Sequence, residues 1–285
     1  ASIFAFSLPA VTLLGGHFQL LAMFLIPIVV FFYEKIWFEN STKDHALFAI
    51  LLSLQFYLGV QLGFLLIVLL LALTPVYYIN RVQNIKYIFL KIPYSFFIVA
   101  ILLGSLMYPY LISAKLTGYR DFVHDILPNM PSFQDFFTTE ISYNFNSWME
   151  LNTRKHHEKA VFLGFSVFFL LFILIIKKLE VKKNRLTVFF NTSSKNFNYL
   201  FYGFVFLSLL IISESKIFQI FFNLVPGFNS IRTPGRFILA IGFIIAFLIA
   251  LRLKDSKIFK LNSILIVFYI VFLAELYSVS IPSNN

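Results

Sequence analysis

Long apolar runs alternate with short polar segments along most of the 285-residue chain. A helix needs roughly 20 mostly apolar residues to cross about 30 Å of hydrocarbon. We assign eight runs to such helices: 18–36, 45–58, 61–80, 88–112, 160–177, 199–213, 236–252 and 261–280. A shorter apolar run, 2–14, fits the end of a truncated helix or a re-entrant segment. The pattern predicts an all-α, polytopic integral membrane protein with about eight transmembrane helices.

Composition supports this interpretation. The chain is 59% hydrophobic and 13% charged, whereas soluble domains are roughly 45–50% apolar and about 25% charged. These few polar side chains cannot cover the surface of a water-soluble globule. We therefore expect lipid around the exterior of the protein. Cysteine is absent, which excludes disulfides and thiolate metal sites. No basic region precedes the first apolar run, so a signal peptide is not predicted. We expect the sequence to be a fragment whose upstream part is missing.

Basic residues concentrate in three short segments, 81–91, 177–195 and 252–260. Loops rich in lysine and arginine stay in the cytoplasm. The segments 113–159 and 214–235 and the end of the chain after Pro282 then lie outside. On this interpretation, the net charge of +10 reflects cytoplasmic loops. No nucleic-acid-binding motif accompanies it, so we expect no nucleic-acid partner.

The apolar stretch 46–79 is too long for one upright helix and short for two. Gly59 and Gly63 permit a tight break between two helices. In such a hairpin, 34–44 lies inside and His17 outside, whereas one long tilted helix reverses both assignments. We favour the hairpin.

Three segments follow from this topology: N-terminal helices in 1–112, an outer loop in 113–159, and C-terminal helices in 160–285. The loop contains "YRDFVHDIL" and "SFQDFF", in which charged and bulky apolar residues alternate. This pattern is typical of short helices lying in the headgroup region. Pro128 is expected to end the first of them.

The stretch "FFNLVPGFNSIRTPGRF" (221–237) places two arginines on the outer side. Thr233 suits an N-cap and Pro234 suits the first helical position, which puts Arg236 in the first turn. Unpaired N–H groups, the helix dipole and the guanidiniums of Arg232 and Arg236 favour an anion such as phosphate. The alternative is that both arginines reach the phosphates of ordinary lipids.

Asp121 and Asp125 are four residues apart in the outer loop. On a helix they share a face, where they could bind a divalent cation or act as a general base. The alternative is the solvated face of an interfacial helix. In "RKHHEK" (154–159), adjacent histidines diverge by about 100° on a helix, so a polar loop is favoured over a metal site.

Other polar residues lie near span ends, and three of them, His17, Glu214 and Glu275, are cavity-lining candidates. His17 follows Gly15 and Gly16, although a buried, hydrogen-bonded histidine is the alternative. Ionisable groups at such depth are functional candidates. Gln55, Gln61, Glu214 and Glu275 also lie close to span ends or helix breaks. The alternative for such residues is that they simply reach water. No Walker, G-x-G-x-x-G, G-x-S-x-G or H-E-x-x-H motif is present, which gives no support to soluble nucleotide or hydrolase chemistry.

Five stretches in order resemble segments of bacterial GT-C-type membrane glycosyltransferases and related YfhO-type and 6-pyruvoyl-tetrahydropterin synthase related membrane proteins. They span nearly the whole chain, and their order is more specific than any one of them. They are "GGHFQLLAMFLIPIVVFFYEK" (15–35), "YRDFVHDILPN" (119–129), "HEKAVFLGFSVFFLL" (157–171), "FNSIRTPGRFILAIGF" (228–243) and "FLAELYSVSIP" (272–282).

The resemblance implies transfer of a sugar from a polyprenyl-phosphate carrier to an acceptor outside the bacterial cytoplasmic membrane. Arg232 and Arg236 would bind the phosphate, with His17, Glu214 and Glu275 lining the outer cavity. The family's catalytic aspartate lies in an early outer loop that this sequence does not contain, which leaves Asp121 and Asp125 as supporting groups. The partners implied are a lipid-linked sugar and membrane lipids. No cofactor is evident, and the one candidate is the divalent cation that Asp121 and Asp125 could bind. A transporter or lipid flippase, or a non-catalytic scaffold, is the alternative.

Overall fold

The computed structural model describes residues 22–80, 85–117, 120–136, 161, 163–164, 167, 192–213, 216–225, 228, 231–255 and 270. Every regular element within these ranges is helical, and they contain no strand. The predicted all-α class is therefore confirmed for the described part of the chain. The predicted runs 2–14, 160–177 and 261–280 lie wholly or almost wholly outside it.

The described residues form α-helices where six of the apolar runs predict them. The α-helices are α1 (Leu25–Phe38), α2 (Thr42–Leu58), α3 (Val60–Asn80), α4 (Ile85–Thr117), α5 (Thr192–Ile211), α6 (Ile217–Leu224) and α7 (Ile238–Asp255). Of these, α6 was not predicted, because the pattern assigned 214–235 to an outer connection. The shorter turns are Phe122–Ile126, Leu127–Asn129, Phe133–Phe136 and Pro234–Phe237.

Two compact units make up the chain. The first unit comprises His17–Pro128 and Gln219–Arg232, and the second comprises Ala1–Gly16, Asn129–Phe218 and Thr233–Asn285. One division falls within α6, and another falls between Arg232 and Thr233. The predicted segments 1–112, 113–159 and 160–285 concern membrane topology and stay a prediction.

In the first unit, α2 and α3 form an antiparallel hairpin. Gly59 has extended backbone between the end of α2 and the start of α3. The Tyr33 ring of α1 lies 5.6 Å from the ring of Phe48, near the start of α2, and 5.7 Å from that of Tyr77, near the end of α3. A single long helix would hold those two residues far apart. The predicted hairpin of two helices is therefore confirmed.

A close helix contact at Gly63 supports this hairpin. A Cβ atom built on Gly63 would lie 2.4 Å from Cγ of Phe56, and Phe56 is itself buried. Only glycine therefore lets the first turns of α3 approach the ring of Phe56 so closely.

The first half of α4 runs parallel to α2. The Oγ of Ser95 lies 2.7 Å from Nδ1 of His45, and the hydroxyl of Tyr57 donates to the carbonyl of Leu102 at 2.7 Å. Lys91 donates to the carbonyl of Asn40 in the loop between α1 and α2. We call this end of the unit, where α2 and α4 begin, the Asn40 end. The opposite end, where α2 turns into α3, is the Gly59 end.

In the second unit, α5 and α7 pack together, and the turn Pro234–Phe237 packs against both. The rings of Phe218 and Phe237 lie 6.4 Å apart. Most described side chains of α7 are buried from Ile238 onward. These contacts anchor the turn that carries Arg236 on two helices of its own unit.

One helical segment among the described residues is long and apolar enough, by length and composition, to cross a membrane: Leu90–Pro109 of α4. Three apolar helical segments are shorter, namely Val60–Pro75, Tyr199–Ile211 and Pro234–Ile249.

Candidate functional site

The start of α7 has the backbone that the sequence predicts. Pro234 opens the helical turn Pro234–Phe237, which leads into α7, and Arg236 lies in that turn. The first hydrogen bond runs from the Arg236 N–H to the carbonyl of Thr233 at 3.2 Å. Thr233 occupies the N-cap position, but its side chain makes no capping hydrogen bond. The hydroxyl therefore does not play the capping role that the sequence predicts.

Side-chain burial at this turn is uneven. Pro234, Gly235 and Phe237 are buried, whereas Arg236 is half-buried. Thr233 is 1% exposed, and its Oγ1 has no hydrogen-bond partner within the described part of the chain. Leaving a buried hydroxyl without a partner is unfavourable by about 1–3 kcal/mol. The turn therefore combines a partly covered guanidinium with a polar hydroxyl that the described protein residues do not satisfy.

Arg232 belongs to the first unit and lies near its Gly59 end. Phe228 packs on Phe64, with 6.3 Å between ring centroids, and Phe64 lies about one turn into α3. The N–H of Ile231 donates to the carbonyl of Phe228 at 3.1 Å, and the exposed Arg232 follows directly. Lys91 lies at the opposite, Asn40 end. The predicted topology requires such a separation, because it places 81–91 inside and 214–235 outside.

Asp121 and Asp125 come together by closing one local turn. The Oδ1 of Asp121 accepts from the N–H of Val123 at 3.0 Å, and the Oδ2 of Asp125 accepts from the N–H of Asp121 at 2.8 Å. His124 Nε2 lies 3.5 Å from Oδ2 of Asp121. Both carboxylates therefore accept hydrogen bonds from backbone N–H groups at the start of the turn Phe122–Ile126, as the side chains of a capping box do. The described residues contain no group of three metal-ligating side chains.

Several other predicted site residues lie outside the described ranges: His17, Glu214, Glu275 and the whole of "RKHHEK" (154–159). Their roles stay predictions.

A buried histidine at the Asn40 end was not singled out from the sequence. His45 is 0% exposed. Its Nε2 donates to Oδ1 of Asn40 at 2.9 Å, and its Nδ1 accepts from the hydroxyl of Ser95 at 2.7 Å. This tautomer follows from the acceptor character of the amide oxygen. The S-x-x-D spacing of Ser41 and Asp44 marks the helix start, but nothing local reveals the bond to Ser95 in α4.

The first unit also buries the amide of Gln55. This side chain is 0% exposed, and neither its Oε1 nor its Nε2 has a hydrogen-bond partner among the described residues. We expect Gln55→Leu to raise the free energy of unfolding by about 1–3 kcal/mol, because it removes two unsatisfied polar atoms at similar volume.

Thermal unfolding of the detergent-solubilised protein measures this difference, with His45→Leu as the comparison. That change should lower stability, because it removes the hydrogen bonds of the buried imidazole to Asn40 and Ser95. A fall in stability for Gln55→Leu would contradict the prediction.

No family model, curated protein or solved structure matches this chain. The resemblance to GT-C-type enzymes therefore rests on the five sequence stretches named above. What the site does has to be argued from its own charge, burial and geometry.

Proposed function

We propose that the protein is a multi-pass GT-C-like glycosyltransferase of the bacterial cytoplasmic membrane. In this proposal, it transfers a sugar from a polyprenyl-phosphate carrier to an extracytoplasmic acceptor. The observation that carries the proposal is the start of α7, where Arg236 and a buried hydroxyl share one helical turn. Arg232 supplies a second cation four residues earlier in the sequence.

The exposed face of α4 supports a membrane location. Of the segment Leu90–Pro109, only 6% is buried. Five large apolar residues of α4 are between 62% and 71% exposed: Leu90, Phe96, Phe97, Ile101 and Tyr108. A contiguous apolar surface of this kind is unfavourable in water and favourable in lipid.

The buried side of the first unit supports the same conclusion. It contains polar side chains, among them Asp44, His45, Ser53 and Gln55. Polar groups turned inward and large apolar groups turned outward are the arrangement expected when lipid surrounds a helical unit. Multi-pass topology, with about eight spans, is our extension of this argument.

The phosphate site follows from the chemistry of the turn. The positive end of the α7 dipole and a guanidinium both favour an anion at this place. A guanidinium can donate two parallel hydrogen bonds to phosphate oxygens. Because Arg236 is half-buried, its attraction for an anion is screened less by water than that of a fully exposed cation.

The proposed reaction is an inverting displacement. An acceptor oxygen attacks the anomeric carbon, the bond from that carbon to the carrier phosphate breaks, and a carboxylate takes the acceptor's proton. The departing phosphate gains negative charge, which Arg236 would stabilise. The sequence-based expectation adds Arg232 as a second phosphate ligand. Asp121 and Asp125 act as supporting groups, because both already cap a turn.

A transfer assay in proteoliposomes tests this function. The full-length protein is given a polyprenyl-phospho-sugar labelled in the sugar, with a cell-envelope fraction as the acceptor. We expect the label to leave the lipid fraction and free polyprenyl phosphate to appear.

A transporter or lipid flippase is the second candidate. The amide of Gln55, which is buried with no hydrogen-bond partner in the described ranges, favours it, because polar groups within the membrane often mark a transport path. A flippase would leave the label on the lipid and expose it at the opposite leaflet. A non-catalytic scaffold would do neither.

A further inference from the structure

Thr233 has a buried hydroxyl that does not serve its own helix. An N-cap threonine normally accepts a hydrogen bond from an N–H of the first turn. Here the Arg236 N–H bonds to the backbone carbonyl of Thr233 instead. The Oγ1 is left without a partner in the described part of the chain, although the residue is 1% exposed. A buried hydroxyl in this position has a hydrogen to donate and no described protein acceptor.

The surrounding turn packs against two helices of its own unit. Pro234, Gly235 and Phe237 are buried, and the turn packs against α5 and α7. Its first residue, proline, has a fixed φ and no N–H. The proline therefore offers the hydroxyl no backbone donor at the first position of the turn. A ligand that satisfies it must supply an acceptor at the start of α7.

Three features of one helix start select the same chemistry. The N-terminal end of the 18-residue α7 carries a partial positive charge. Arg236 adds a full positive charge in the preceding turn. The hydroxyl of Thr233 adds a neutral donor. A tetrahedral oxyanion with several acceptor oxygens, such as a phosphate, matches all three, whereas a single carbonyl or a cation does not.

We propose that Thr233 is a phosphate ligand, whose Oγ1 donates a hydrogen bond to an oxygen of the lipid phosphate bound beside Arg236. This inference rests on the proposed function, since it names a further binding residue of the same site. No covalent step is assigned to the hydroxyl.

The test compares Thr233→Val, which keeps the shape and removes the hydroxyl, with Thr233→Ser, which keeps the hydroxyl. The readout is the shift in unfolding temperature of the full-length, detergent-solubilised protein. A short-chain polyprenyl phosphate, phosphatidylglycerol and inorganic phosphate are added in separate arms. We expect polyprenyl phosphate to raise the unfolding temperature of the wild type and Thr233→Ser. For Thr233→Val, we expect that an equal rise in unfolding temperature requires at least a tenfold higher concentration of polyprenyl phosphate.

Without added phosphate, Thr233→Val should unfold at the wild-type temperature or above it, because the hydroxyl has no described protein partner to lose. A lower unfolding temperature together with an unchanged ligand shift would overturn the inference, because the hydroxyl would then be structural. Absence of any shift in the wild type, with all three probes, would overturn it as well.

The experiment separates this inference from the proposed function. If the shift is lost in Thr233→Val but the wild type transfers no sugar, the phosphate ligand stands and the glycosyltransferase proposal fails. If sugar transfer requires Arg236 while Thr233→Val keeps the full ligand-induced shift in unfolding temperature, the glycosyltransferase proposal stands. The proposal that Thr233 is a phosphate ligand then fails. Equal shifts with phosphatidylglycerol and polyprenyl phosphate assign the site to ordinary lipid phosphates, and a shift with the polyprenyl phosphate alone assigns it to a carrier. In either case, loss of the ligand-induced shift in the unfolding temperature of Thr233→Val supports the role of the hydroxyl.

Discussion

Replacing Arg236 by alanine in the full-length protein is expected to lower the rate of sugar transfer by roughly a hundredfold to a thousandfold. The side chain lies in the turn at the start of α7 and is half-buried. In a partly water-excluded position, a donor aimed at developing phosphate charge contributes more than it would in water. Expression and unfolding temperature should stay near wild type, because Pro234 and Phe237, which are buried, hold the turn in its unit.

Three further variants make this prediction specific. Arg232→Ala should also lower turnover. Arg236→Lys keeps the charge but loses the bidentate geometry, so its rate should lie between wild type and Arg236→Ala. Lys43→Ala removes one positive charge from the exposed first turn of α2 and should leave turnover unchanged. Wild-type turnover in both Arg232→Ala and Arg236→Ala would reject the phosphate-binding role.

Substituting leucine for Gly63 is expected to destabilise the first unit by about 3 kcal/mol or more. Its Cβ would lie between 2.4 and 2.5 Å from three carbons of the Phe56 ring. Those atoms are near the base of a buried side chain, which also packs on Phe64 at 5.3 Å between ring centroids. The ring has little room to move, so α2 and α3 must separate. Thermal unfolding in detergent, followed by circular dichroism, measures the loss.

Gly104 provides the matched control, because a Cβ added there meets no atom of the described chain within 4 Å. Gly104→Ala should change stability by less than about 1 kcal/mol, in the stabilising direction that helix propensity favours. Adding Phe56→Ala to Gly63→Leu should recover part of the stability that Gly63→Leu loses. The double-mutant cycle should therefore give a coupling energy between the two changes above about 1 kcal/mol. Equal unfolding temperatures for the Gly63 and Gly104 variants would show that the close approach is not required.

Local sequence patterns predicted most of the helices correctly. Apolar runs located α1 to α5 and α7, and Gly59 located the break between α2 and α3. Pro234 located the start of the helical turn that leads into α7. The eight-residue helix α6 was missed, because its apolar sequence "IFQIFFNL" is too short to stand out within a polar connection. Helix signals of this kind depend on residues within one or two turns, which the sequence displays directly.

The candidate site was predictable only in part. Sequence located both arginines and the N-cap position of Thr233, because capping preferences are local. It did not show that the Thr233 hydroxyl is buried with no hydrogen-bond partner among the described residues, or that Asp121 and Asp125 cap the same short turn. Whether a polar group is satisfied depends on which turn forms and which helices cover it, so the outcome cannot be read from spacing alone.

By itself, the sequence determined the helical class, the positions of most helices and the segregation of basic segments, since each follows from residue type and short-range periodicity. Tertiary structure alone decided the bond between His45 and Ser95, which are 50 residues apart, and the contact of Phe228 with Phe64 at the Gly59 end. It also decided the burial of Gln55. Such pairs form because distant helices pack side by side, and packing joins residues whose separation along the chain carries no local signal.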